Sequence, residues 1–196
     1  KLVQNQEIVV KLFTNKYGGD TVSRWTSMVH AADGFAARRI AAQIKGEELL
    51  TQFQALGATG NTDTEGYITQ LDCRNITLPE DIIARIANCS RLQDLNLRHT
   101  GLKDNQFEYL ANLTEITKLD LSDNPITGEA LNKLGALAKL HSLDLSGSPV
   151  SDANVKQFEA ISNLKNIRSL DISGTKLGTG SYDKITRFFR LADVKF

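Results

Sequence analysis

Of the side chains that could do chemistry, one set recurs at a regular interval. Asp72, Asn96, Asp120, Asp144, Asp171 and Lys195 follow one another at steps of 24, 24, 24, 27 and 24 residues. Two residues before them stand Gln70, Asp94, Lys118, Ser142 and Ser169, and two residues after them Arg74, Arg98, Ser122, Ser146 and Ser173. Side chains two apart share one face of a β-strand, and parallel strands lie about 4.8 Å apart. If each segment is a strand, the three positions form three columns on one face, and the middle column is a ladder of carboxylates. Exposed like charges at that spacing repel by about 1 kcal/mol or less. Such a strip attracts a basic segment of a partner protein; the competing reading is that the aspartates only keep the face soluble. The candidate contacts are Asp72, Asp94, Asn96, Arg98, Lys118, Asp120, Asp144 and Asp171. The columns hold no aromatic side chain, so no hydrophobic hot spot is expected on them.

The other reactive residues are scattered. His30, His99 and His141 lie far apart, and no serine or cysteine stands at a nucleophile spacing from any of them. The Gly-rich stretches at 57–60 and 178–180 lack the Lys-Ser/Thr of a phosphate loop. There is no HExxH, and Cys73 and Cys89 form no CxxC. No enzyme activity, metal or cofactor is expected. Lys plus Arg equals Asp plus Glu at 23 each, so the neutral balance gives no signal for nucleic acid. No apolar run approaches the roughly 18 residues of a membrane span.

The elements that position the columns are legible in the apolar residues. A Leu-x-x-Leu-x-Leu pattern occurs six times: Ile68-Leu71-Cys73, Leu92-Leu95-Leu97, Ile116-Leu119-Leu121, Leu140-Leu143-Leu145, Ile167-Leu170-Ile172 and Leu191-Val194-Phe196. A period of 20–29 with this pattern is the signature of leucine-rich repeats. Between the strands a second pattern recurs at steps of three, as in Phe107, Leu110, Leu113, Ile116 and in Leu131, Leu134, Leu137, Leu140. It predicts a helix of two or three turns in each unit. After each strand comes a corner residue: Ile76, Thr100, Asn124, Ser148 and Thr175. Only Asn124 is the asparagine that bonds neighbouring backbone in a ladder in many such repeats; Thr and Ser can do so in part, and Ile76 cannot. Both cysteines occupy repeat positions held elsewhere by leucine, so they read as buried small hydrophobes.

The expected fold is α/β: a leucine-rich repeat solenoid with parallel strands on the concave side and helices on the convex side. It divides into a helical cap over 1–57, a polar connector over 58–66 and repeats over 67–196. The cap is read as about four short helices, one of them Glu47–Leu56, covering the apolar end that any solenoid leaves open. The last strand, ending at Phe196, is expected to need further residues or another cover along its edge.

The helix-bearing 24-residue unit, with GEALNKLGALAKL at 128–140, is similar to the bacterial repeats called GALA-type. Some members carry an N-terminal F-box and act as effectors in eukaryotic hosts. The stretch from Glu7 to Phe35 resembles a degenerate F-box: Glu7, Ile8, Val9, Leu12 and Phe13, then Asp20, then Val29 and Phe35. It departs from that family in having Gln4-Asn5 for Leu-Pro and His30-Ala31 for Cys-Lys. The resemblance implies a recruiting protein that holds its target on the concave face and engages a Skp-type ubiquitin-ligase adaptor through Ile8, Val9, Leu12 and Phe13. The alternative is a plain scaffold or inhibitor in which those residues are cap core. The absence of cysteine-rich caps favours a reducing compartment, hence a cytoplasmic protein, including one delivered into a host cell. An extracellular adhesion module is the third class, and it would carry glycans on Asn75 or Asn112.

Overall fold

Three-residue strands stacked at the repeat period organise the computed structural model, which describes residues 46–196. The sheet contains β1 (Thr59–Thr62), β2 (Ile68–Asp72), β3 (Asp94–Asn96), β4 (Lys118–Asp120), β5 (Ser142–Asp144), β6 (Ser169–Asp171) and β7 (Asp193–Lys195), in that order. β1 runs antiparallel to β2, and each later pair is parallel. Leu71, Leu95, Leu119, Leu143 and Leu170 are register partners, and each is at most 2% exposed. Burying each such leucine contributes about 1.5–3 kcal/mol. The stack of leucines is therefore what fixes the register, since a slip of one residue would turn every one of them to water.

The segments that return behind the sheet are more varied than the expected helices: three have the two to three turns expected, one is a shorter α-helix and one is 3₁₀. They comprise α1 (Glu80–Ile86), a 3₁₀ turn leading into α2 (Phe107–Leu110), a 3₁₀ helix Leu131–Ala136, a 3₁₀ turn leading into α3 (Val155–Ile161), and α4 (Thr179–Phe188). An apolar repeat of three is the 3₁₀ period, and an α-helix drifts away from it. The third unit shows this most clearly, where Gly135 also lowers α-helix propensity. Its buried Leu131, Leu134, Leu137 and Leu140 still line the core.

The corner after each strand needs a left-handed residue, and the sequence supplies one each time. Asn75, His99, Asp123, Gly147 and Gly174 have φ of 62°, 52°, 55°, 67° and 68°. Asn, Asp and Gly are the types that tolerate this region most readily, and His is enriched there too. They stand one place before the corner positions singled out above.

Asn124, 2% exposed, joins two repeats. Its Oδ1 accepts the backbone N–H of Thr100 and of Leu102, each at 3.0 Å, and its Nδ2 donates to the carbonyls of Leu97, Leu121 and Ser122. The Thr100 and Thr175 hydroxyls donate to carbonyls of their own turns, at Leu97 and Ile172, and that of Thr100 also reaches Asn124 Oδ1 at 3.4 Å. A carboxylate makes a second kind of stitch on the helical side. Asp104 accepts backbone N–H bonds from Thr127, Gly128 and Ala130 of the next unit. Two units on, Asp152 accepts from the Gly178 backbone N–H at 2.9 Å and from the Ser181 hydroxyl.

The residues read as a polar connector include strand β1, and Ala58 is buried at its start. Asp63 Oδ1 accepts N–H bonds from Glu65 and Tyr67, closing a tight turn in which Gly66 has φ of 81°. Arg91 then pins this hairpin to the repeats. It pairs with Asp63 at 2.9 Å and Glu65 at 2.6 Å and lies 4.0 Å over the Tyr67 ring. Burial raises the Asp63 carboxyl, but the bonds from the Tyr67 N–H and from Arg91 outweigh it and hold the group below its ordinary range. A helix over 46–55 packs Phe53 into the same core. No helix among the described residues is long and apolar enough to cross a membrane.

Candidate functional site

The sheet face away from the helices carries the three columns. Register pairing runs Asp72–Asn96–Asp120–Asp144–Asp171–Lys195 in the middle and Gln70–Asp94–Lys118–Ser142–Ser169–Asp193 beside it. The antiparallel β1 extends both columns, placing Thr59 opposite Asp72 and Asn61 opposite Gln70. Sequence reading missed Thr59 and Asn61. The signal that could have found them is Thr-Gly-Asn-Thr placed just before an Asp-x-x-Gly turn.

Each middle-column side chain serves the backbone first. Oδ1 of Asp120, Asp144 and Asp171 accepts the N–H of Ser122, Ser146 and Ser173 at 2.9–3.0 Å, and each serine hydroxyl donates to the same oxygen at 2.6 Å. Asn96 Oδ1 accepts the Arg98 N–H, and Asp72 Oδ1 the Arg74 N–H, in the same way. The Asp-x-Ser pattern is thus an Asx turn that ends each strand. That structural role accounts for one oxygen per carboxylate and leaves Oδ2 for the open face.

The two ends of the face differ in charge balance. Near β1 the ions are neutralised internally. Arg74 embraces Asp72, with Nε 2.8 Å from Oδ2, and this holds the Asp72 carboxyl below its usual range. Lys118 lies 3.5 Å from Asp94, and Arg98 pairs with Asp123 at 2.9 Å. Towards β6, the one cation paired with Asp171 among the described residues is Lys195, at 3.9 Å. Oδ2 of Asp120 and Oδ2 of Asp144 have no hydrogen-bond or ion-pair partner among the described residues. Serines at 122, 142, 146, 169 and 173 stand beside them, Lys118 lies two residues before Asp120 on the same face, and Arg74 senses the Asp120 charge from a distance.

Ile8, Val9, Leu12 and Phe13, with Asp20, Val29 and Phe35, lie outside the described residues. Cys73 and Cys89 are free and buried. Among the described residues, no group of three or more His, Cys, Asp and Glu could hold a metal ion.

A one-layer sheet of parallel strands at this period, backed by short helices and open on its other face, defines a leucine-rich repeat protein with a surface for protein partners. Residues 80–191, more than half of the chain, match the family described as Zer-1-like, leucine-rich repeats, and the chain belongs to that family. A solved tropomodulin C-terminal domain from Caenorhabditis elegans superimposes with a TM-score of 0.53 at 11% identity, covering 74% of this chain and 92% of that one. That similarity shows the fold alone. An internalin from Listeria monocytogenes aligns with a TM-score of 0.46 at 21% identity over 57% of this chain, which spans 30% of the internalin. Comparison with curated proteins finds none that matches.

Proposed function

We propose that the protein is a non-enzymatic recognition module whose open sheet face takes a basic segment of a partner protein along Asp120, Asp144 and Asp171. The observation that carries this reading is that, among the described residues, Oδ2 of Asp120 and of Asp144 has no partner, while Asp72, Asp94 and Asp171 each face a cation. Both carboxylates are already fixed by their Asx turns, so little further ordering is lost on binding. The test is fluorescence anisotropy of a Lys/Arg-rich peptide at low and at physiological salt. The Asp120→Asn/Asp144→Asn/Asp171→Asn variant should lose binding at low salt; unchanged affinity ends the idea.

The F-box-like stretch supports a narrower version, in which the protein recruits a target to a ubiquitin ligase as GALA-type effectors do. Its contacts would be Ile8, Val9, Leu12 and Phe13. A pull-down with the Skp-type adaptor, compared with the Leu12→Ala/Phe13→Ala variant, separates it from a plain scaffold or inhibitor. Two free buried thiols support a cytoplasmic setting, including that of a host cell. Glycans on Asn75 or Asn112, sought by mass spectrometry from the native source, would instead place it outside the cell.

A further inference from the structure

The antiparallel strand β1 does more than border the sheet. Asn61, Gln70, Asp72, Arg74, Asp94 and Asn96 are among the residues that line a depression of about 410 Å³ at that end of the open face. Small-molecule and cofactor pockets occupy about 300–1,000 Å³.

The lining has an unusual share of carboxamides with spare capacity. Asn61 Nδ2 donates to Gln70 Oε1 at 2.8 Å, which leaves Asn61 Oδ1 as an acceptor and Gln70 Nε2 as a donor. Asn96 Oδ1 is committed to the Arg98 N–H, which leaves Asn96 Nδ2 as a donor. None of these three atoms has a further hydrogen bond among the described residues. Adjacent donors and acceptors complement the N–H and C=O that an extended peptide presents.

The two carboxylates of the groove differ in availability. Asp72 is held by Arg74 through several bonds. Among the described residues Asp94 pairs only with Lys118, 3.5 Å away, with the two side chains 37% and 65% exposed. Such a pair is worth at most about 1 kcal/mol. A guanidinium offering two parallel N–H bonds would displace it, because the fork matches a carboxylate where an ammonium does not.

We propose that this groove binds a short extended segment of a partner protein, with its peptide units held by Asn61, Gln70 and Asn96 and an arginine held by Asp94. The proposal rests on the reading of the open face as a recognition surface. It does not depend on the acidic strip at Asp120, Asp144 and Asp171.

The test is a titration of the ¹⁵N-labelled full chain with an acetylated, amidated Gly-Arg-Gly peptide, followed by NMR. The side-chain amide signals of Asn61, Gln70 and Asn96 should move, and the corresponding Gly-Glu-Gly peptide should leave them in place. Asp94→Asn should weaken Gly-Arg-Gly binding about tenfold, the loss of one charge-assisted contact, with the backbone spectrum confirming the fold. Asp120→Asn/Asp144→Asn/Asp171→Asn should leave it unchanged. Still amide signals, equal response to both peptides, or full affinity in Asp94→Asn would overturn the proposal. Shifts confined to the neighbourhood of Asp120, Asp144 and Asp171 would refute the groove while leaving the acidic strip standing.

Discussion

The side-chain oxygen of Asn124 receives the backbone N–H of Thr100 at 3.0 Å, across the boundary between two repeats. The same amide reaches Leu97 on the far side of that boundary and Leu121 on its own. Asn124→Ala leaves these buried groups without partners. Each orphaned group costs about 1–3 kcal/mol, reduced by local relaxation. Urea unfolding should show a loss of about 2–4 kcal/mol with an unchanged slope.

The aspartates of the open face allow their two roles to be separated. Asn96 occupies the same column and makes the same turn through its amide oxygen. Asp120→Asn and Asp144→Asn should therefore keep the urea midpoint of the parent. Asp120→Ala and Asp144→Ala remove the acceptor and should each cost about 0.5–1.5 kcal/mol. A folded asparagine variant that fails to bind then reports on charge alone.

Asp152 and Asp72 predict the acid response. The Ser181 hydroxyl and then the Gly178 N–H lower the Asp152 carboxyl, and Arg74 lowers that of Asp72. A carboxyl that titrates lower in the folded chain than in the unfolded one favours folding when ionised. That stability is complete above the ordinary aspartate range and is lost as pH falls through the lowered folded values. Asp152→Asn should flatten the acid limb of a plot of urea midpoint against pH.

Cys73 and Cys89 should be inert in the folded protein. Burial pushes both thiols up to about 12, and at Cys73 the charge of Asp72 adds to it. The thiolate is the reactive form. A disulfide-exchange dye should label neither residue at neutral pH without denaturant and both in urea. Fast labelling of one alone would reveal local opening at its end of the array.

The repeat fold was readable because it rests on spacing. Leu71, Leu95, Leu119, Leu143 and Leu170 stand at positions no other common fold explains, and the register places them as partners. The columns of the open face followed from strand alternation alone. Strand β1 was hidden because Thr-Gly-Asn-Thr has neither apolar alternation nor strong β-propensity, and its pairing with β2 is a tertiary fact. The 3₁₀ helix at Leu131–Ala136 was hidden because a step of three reads as a rough α-helix until geometry decides. What the aspartates do could not be read at all from residue type. The Asx turn that holds Oδ1, and the want of a partner among the described residues on Oδ2 of Asp120 and Asp144, are properties of three-dimensional placement.

The stitches between repeats are uneven. Asn124 and Asp104 both tie the unit of β3 to that of β4, and Asp152 ties the unit of β5 to that of β6. Between the units of β4 and β5 the side-chain links are neutral: Asn154 to the Thr127 carbonyl, Asn166 to that of Ala138, and a 3.5 Å contact from the Ser148 hydroxyl to that of Leu121. Repeat arrays behave as chains of nearest-neighbour couplings. Here those couplings differ in kind, with carboxylate stitches at β3–β4 and β5–β6 and neutral ones at β4–β5, so a graft cut at β4–β5 leaves neither Asp104 nor Asp152 without the backbone groups it holds in the next repeat.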